Sequence, residues 1–268
     1  MIDFKIYLHS FKPRKEWLYT FLVDLVSISI IIAILLSFGG MLNTKALALT
    51  GGQDVETFKA TLLSGTSEIG QEFLSSVKVF AATFFIGGAL VVFILLLLHS
   101  FSTKLVWELL TKKKLSWKPF WRWNALTLLF AFLSFMWVLL FAGIMVVLTT
   151  LLSLQGTLSF WFLRTLALFF LLLFMLLIFL TNYSFVHKYR VMEALGEAFH
   201  QMKKFFWWPF ILMLGTSVVI SIFIYLIGTF FLNTSETAYN IFSAIVFFLF
   251  LAWMRIYVVN IVKGEQHG

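Results

Sequence analysis

Apolar positions in this chain are gathered into six long blocks, each bounded by a short cluster of basic and aromatic residues. The blocks lie near Leu18–Leu42, Val77–Ser100, Ala125–Leu152, Phe162–Phe185, Phe210–Leu232 and Ala238–Val259. As helices, each is long enough to cross a hydrocarbon layer roughly 30 Å thick. Backbone amides in lipid must bond to one another, and an uninterrupted apolar run does this only as a helix. The pattern predicts an all-α, polytopic bundle of about six transmembrane helices.

The punctuation between blocks repeats. The three prolines occur in Phe11-Lys12-Pro13-Arg14-Lys15-Glu16-Trp17, in Trp117-Lys118-Pro119-Phe120-Trp121-Arg122-Trp123 and in Lys203-Lys204-Phe205-Phe206-Trp207-Trp208-Pro209-Phe210. Each precedes an apolar block. Proline suits the first turn of a helix because its φ is preset and it has no amide hydrogen to satisfy, while Trp and Lys/Arg favour the headgroup level. These elbows predict three helical hairpins in one membrane domain, 18–100, 125–185 and 210–259, with a surface segment at 1–16 and an outer loop at 43–76.

Charge orients the hairpins. Of the 20 Lys and Arg, all but Lys45, Lys59, Lys78 and Arg164 fall on the side that carries both termini. Positive residues accumulate on the cytoplasmic side, so the expectation is a multi-pass protein of the cell membrane, plasma or inner, with N- and C-termini cytoplasmic. The net charge of +8 follows this membrane placement instead of forming a soluble basic domain, which argues against a nucleic-acid partner. The remaining composition, 61% hydrophobic and 12% charged, exceeds what a soluble core of this size hides and fits a lipid-bilayer environment. The first block is too long for a signal peptide and lacks a small-residue cleavage site after it.

Three cytoplasmic segments are too short or too mixed to span. Met1–Glu16 and Lys104–Ser116 are expected to rest on anionic lipid at the cytoplasmic face. In Arg190–Lys204, Val191, Met192, Leu195, Phe199 and Met202 recur at helical spacing while Arg190, Glu193, Glu197, His200 and Lys204 face away. Such amphipathic helices either anchor to lipid or dock a membrane or cytoplasmic protein, and the pattern is the same for both. The expected cytoplasmic interface comprises Pro13, Trp17, Trp117, Pro119, Trp121, Arg190, Glu193, Glu197, Trp207, Trp208 and Pro209. On the outer side, Asp54 is placed to cap a short helix with apolar positions Val55, Phe58, Leu62 and Leu63.

Candidate chemistry is sparse. Asp24 lies about two turns past Trp17, roughly 11 Å into its span, where a lone charge is costly. Arg255 lies at a matching depth in the last span, so the two are expected to face each other as a structural or transport ion pair. Lys78 and Arg164 reach the outer headgroups by snorkelling, or frame an outward-facing polar cavity with Gln155 and Glu72. Asn124, Asn182 and Asn260 are placed to bridge or cap helices. The five histidines have no zinc spacing and Cys is absent, so no metal or cofactor is expected. No phosphate-binding loop or nucleophile elbow occurs, and no catalytic residue is assigned.

The stretch Tyr189-Arg190-Val191-Met192-Glu193-Ala194-Leu195-Gly196-Glu197-Ala198-Phe199, continuing to Trp208-Pro209-Phe210, resembles a segment of small six-helix bacterial and archaeal membrane proteins. These include the membrane domain attached to some glycerophosphoryl diester phosphodiesterases. The resemblance implies a membrane-embedded module without the phosphodiesterase's catalytic domain, and carries over no catalytic residue. With few ionisable residues at mid-membrane, the reading is a noncatalytic membrane subunit or scaffold that associates with a partner protein through its cytoplasmic helices. The runner-up is a small transporter or lipid-handling protein with a cavity between the hairpins.

Overall fold

In the computed structural model, the described residues are 4–12, 14–50, 55–64, 67–114, 116–151, 157–205, 208–231 and 235–265. Their helices are α1 (Phe4–Ser10), α2 (Lys15–Thr50), α3 (Val55–Ser64), α4 (Ser67–Ala82), α5 (Gly88–Leu110), α6 (Phe120–Leu151), α7 (Thr157–Lys188), α8 (Val191–Phe205), α9 (Trp208–Phe231) and α10 (Glu236–Glu265), with a π-helical turn, Thr83–Gly87, between α4 and α5. Six stretches of described helix are long and apolar enough to span: Lys15–Leu49, Phe73–Leu110, Phe120–Thr150, Phe162–Lys188, Pro209–Gly228 and Glu236–Gly264. By length and composition the chain is a multi-pass membrane protein, and each predicted block falls on one of these helices.

The chain forms two compact units, Met1–Leu25 with Ser100–Gly268, and Val26–His99. In the smaller unit, the π turn widens the helix where Gly87 faces Phe38. A Cβ at Gly87 would stand 3.0 Å from the Phe38 ring, so a larger residue here would have to push the ring aside. The outer loop expected at 43–76 is largely helical, since α2 continues to Thr50 and is followed by α3 and the start of α4.

In the larger unit, protein packing concentrates where the basic residues lie: the end of α5, the start of α6, the end of α7, α8, the start of α9 and the end of α10. Trp107 and Leu110, Trp123 and Leu126, Leu172 through Val186 along one stretch of α7, Phe210 and Met213, and Ala252 through Val262 on α10 supply the core. At the opposite end the same helices are bare of protein, as at Phe132, Val138 and Val146 on α6 and Val219 and Leu226 on α9. These side chains are apolar and suited to lipid.

The helix boundaries at the basic end follow from capping chemistry. The carbonyl of Pro119 accepts the amide of Trp123 at 3.1 Å, so proline opens α6 without forfeiting a donor. Pro209 is the second residue of α9, while Pro13 lies outside the described residues. α5 ends in a Schellman turn: Lys112 takes φ 57°, its amide bonds Leu109 O and the Lys113 amide bonds Glu108 O. At the other end of the span that returns to this level, α7 stops at Tyr189, also left-handed with φ 53°.

Three expectations are corrected here. Lys104–Ser116 does not rest on lipid as a surface segment, because Lys104, Val106, Trp107, Glu108 and Leu110 are buried in protein as the last two turns of α5. Of the apolar positions expected on one face of α8, Val191, Leu195 and Met202 are half-buried while Met192 is 72% and Phe199 49% exposed; the fully covered residues are instead Ala194 and Ala198. α8 packs mainly on α7, and small covered residues such as these permit close helix contact. The N-terminal segment is also more than a surface strip, since α1 is seated on α10.

Candidate functional site

The chemistry-bearing residues of the larger unit gather in one layer at its basic end. Arg255 on α10 donates to Asp24 on α2, and both are largely covered. The Arg255 guanidinium also lies 5.6 Å above the Phe179 ring of α7, and Phe179 in turn packs 5.9 Å from Trp107 of α5. A cation over an aromatic face keeps part of its electrostatic stabilisation when water is removed. The layer thus joins four spanning helices through one ion pair and two rings.

A second ion pair follows on α5. Lys104 Nζ donates to Glu108 Oε2 at 2.9 Å, with both side chains at most 2% exposed. Their i, i+4 spacing puts them one above the other on one helix face. Trp117 lies under the Lys104 ammonium at 5.8 Å, and the Tyr189 hydroxyl donates to Glu108 Oε1 at 3.4 Å. Burying two charges is costly unless each is surrounded by partners, so this arrangement commits the chain to holding α5 against the α7–α8 corner.

That corner is further secured by two basic side chains. Lys113 Nζ donates to Val186 O at 2.6 Å and lies 5.4 Å over the Tyr189 ring, and Arg122 donates to Tyr189 O at 3.3 Å. Both cations satisfy carbonyls at the C-terminus of α7, where the helix dipole favours positive charge. Burial, followed by the Glu108 carboxylate and its hydrogen bond, raises the Tyr189 phenol above its ordinary pKa.

On the neighbouring flank, α1 is fixed to α10 and α9. The Tyr7 hydroxyl bonds Thr216 Oγ1 at 2.8 Å, its ring meets Trp253 and Tyr257 edge-on, and Phe11 stacks on Trp253 at 4.8 Å. Asn260 Nδ2 donates to Ser10 Oγ at 2.9 Å, so one asparagine expected to bridge helices joins α10 to α1. The outward face of α1 still exposes Phe4 and Leu8.

The expected interface residues divide into anchors and surface. Trp17 is half-buried, Pro119 buried and Pro209 half-buried; Trp117 and Trp121 are exposed, at 66% and 70%. Trp121 is two residues from Trp123, which is fully buried and packs 4.8 Å from Phe185. Trp208 begins α9, and Trp207 lies outside the described residues. Arg190 pairs with Glu193 at 2.6 Å and Lys188 with Glu197 at 2.8 Å, so both acids expected to face a partner already have cations beside them. The hydrogen bond from Arg190 to Glu193, with their attraction, pushes the Arg190 pKa further upward.

At the far end of the larger unit, Arg164 is exposed on α7 and lines a cleft of about 470 Å³ against α9. Lys78 is exposed on α4 of the smaller unit, and Gln155 lies outside the described residues. Among the described residues, no three His, Asp or Glu side chains are grouped as metal ligands.

The buried Lys104–Glu108 pair was missed in the sequence because both residues sit beside a run of lysines that reads as an inner loop. The signal was the Lys-x-x-x-Glu spacing continuing the apolar rhythm of the preceding span. What the layer does chemically is hold charge in place. Asp24, Arg255, Lys104 and Glu108 are each engaged by an opposite charge inside packed side chains. In comparisons with family models, curated proteins and solved structures, the chain matches none.

Proposed function

We propose that this chain is a noncatalytic membrane subunit, with both termini cytoplasmic, that holds a partner protein at its basic end. The orientation rests on the charge distribution, since the positive residues collect at one set of helix ends. The observation that carries the docking role is the outward stripe on α8. Met192 and Phe199 are exposed together with Lys203, one helical face away from the covered Ala194 and Ala198. Nearby, Lys112, Lys114, Lys118 and Lys204 are exposed as well, which suits a partner with an acidic rim around an apolar patch.

The packed polar layer supports this over transport. A coupled transporter uses ionisable residues along a wet path near mid-membrane. Here the four covered charges at the basic end form two ion pairs packed among aromatic rings, as a structural scaffold would need.

A photo-crosslinking amino acid at Phe199, in membranes of the native host, tests the assignment. The expected result is a discrete protein adduct that is absent when the probe is at Val138 and lost on Lys203→Glu/Lys204→Glu. Adducts to lipid alone at Phe199 would make α8 a membrane anchor and overturn the docking role. The runner-up, lipid handling, draws support from the α7–α9 cleft.

A further inference from the structure

We propose that the cleft between α7 and α9 is a binding site for one anionic phospholipid, with its phosphate at Arg164 and an acyl chain running toward Leu171. The inference goes beyond partner docking and uses the opposite end of the larger unit. Only the choice of leaflet, the outer one, rests on the orientation proposed above.

The lining of the cleft is graded. Arg164, Thr165 and Tyr225 supply its polar mouth, toward the ends of α7 and α9 that are remote from the basic layer, and Ser221 adds one hydroxyl in the trough near the middle of α9. Leu171 and Val218 close the other end. From Arg164 to Leu171 is seven residues, or about 10 Å along the helix. A polar mouth above an apolar trough has the shape of an amphiphile lying along the helices.

The charge of the lining selects the headgroup. Among its described lining residues are a guanidinium and three hydroxyl side chains and no carboxylate, a set that complements a phosphate better than a choline or ethanolamine cation. A guanidinium presents a planar fork of donors that matches two phosphate oxygens at once. The volume, about 470 Å³, is within the roughly 300–1,000 Å³ typical of small-molecule sites and suits part of one chain with its glycerol linkage. Simple snorkelling would place Arg164 at the headgroup level without requiring a trough beneath it.

The test is native mass spectrometry of the purified full chain in mild detergent, titrated in separate arms with phosphatidylglycerol, phosphatidylcholine and oleate. One phosphatidylglycerol is expected to be retained about tenfold better than phosphatidylcholine, because both lipids present a phosphate to Arg164 and only choline brings a second cation beside the guanidinium. Arg164→Gln should abolish that preference, and Arg164→Lys should keep part of it. Leu168→Trp, which fills the trough from α7, and Ser221→Phe, which fills it from α9, should each lower retention of both phospholipids; two variants guard against one that fails to fold. An unchanged headgroup preference in Arg164→Gln overturns the site, as does unchanged retention in both filled variants. Oleate retained ahead of phosphatidylglycerol overturns the phospholipid assignment. None of these outcomes bears on crosslinking at Phe199.

Discussion

The two ends of the larger unit lie on the same long apolar helices and are opposite in structure. α7 contains both within one helix: Leu172 through Val186 is almost continuously buried, while Phe162 to Leu171 is exposed or half-covered. The difference lies in the minority residues. The covered stretch of α7 carries Thr181, Asn182, Tyr183 and Ser184, and that of α10 carries Arg255, Tyr257 and Asn260. The lipid-suited stretch of α6 from Leu128 to Leu148 holds a single serine, Ser134, among apolar and aromatic residues. Hydrophobicity therefore determines that a helix spans. Polar residues are denser in the parts that meet protein, where a helix partner can approach them.

Removing one partner from the covered end should do the most damage. Glu108→Ala leaves Lys104 buried without its carboxylate and should lower stability in detergent by about 3–5 kcal/mol, read from thermal or denaturant unfolding. The double variant Lys104→Met/Glu108→Met should recover most of that loss. Wild-type stability in Glu108→Ala alone would break the contrast between the two ends.

Next comes a matched pair of truncations. Leu180 is fully buried and Leu140 is 53% exposed. In the same unfolding measurement, Leu180→Ala should lose about 3 kcal/mol through its cavity and Leu140→Ala less than about 0.5 kcal/mol. Equal losses would mean that the bare end is packed in solution.

Asp24→Asn should have a smaller effect, about 2 kcal/mol, because the Asp24–Arg255 pair retains some exposure at its edge. Unfolding of the Asp24→Asn/Arg255→Gln double variant measures the coupling. Additive losses would remove the ion pair from the layer that joins α2 to α10.

The smallest effect concerns Tyr189. Its folded pKa is raised, so its contribution is fully present below the ordinary phenol value of about 10 and is lost as pH rises from there through the higher native value. A stability profile from pH 9 to 12 should therefore fall more steeply for wild type than for Tyr189→Phe. Superimposed profiles would detach the phenol from Glu108.

How much could be read from the sequence followed from whether a signal was local. The six spans depend on local hydrophobicity and were legible. The meeting of Asp24 with Arg255 could be reasoned from depth, because a charge in lipid requires a counter-charge at its own level. The faces of α8 could not. Large apolar residues dominate a periodicity reading, yet the fully covered residues of α8 are Ala194 and Ala198, since close approach rewards small volume over hydrophobicity. The same bias hid Lys104 and Glu108: a lysine near other lysines resembles a solvated loop until the chain around it is seen to remain helical. Trp121 and Trp123 look alike in the elbow, but two residues on a helix point about 200° apart, so one remains on the surface and the other enters the core.

The left-handed Tyr189 fixes the corner where α8 begins. A non-glycine residue held at positive φ costs roughly 1–2 kcal/mol, and here its carbonyl, ring and hydroxyl are gripped by Arg122, Lys113 and Glu108. Straightening that corner would have to release all three grips together. The start of α8 is therefore tied, through one residue, to the buried Lys104–Glu108 pair in α5.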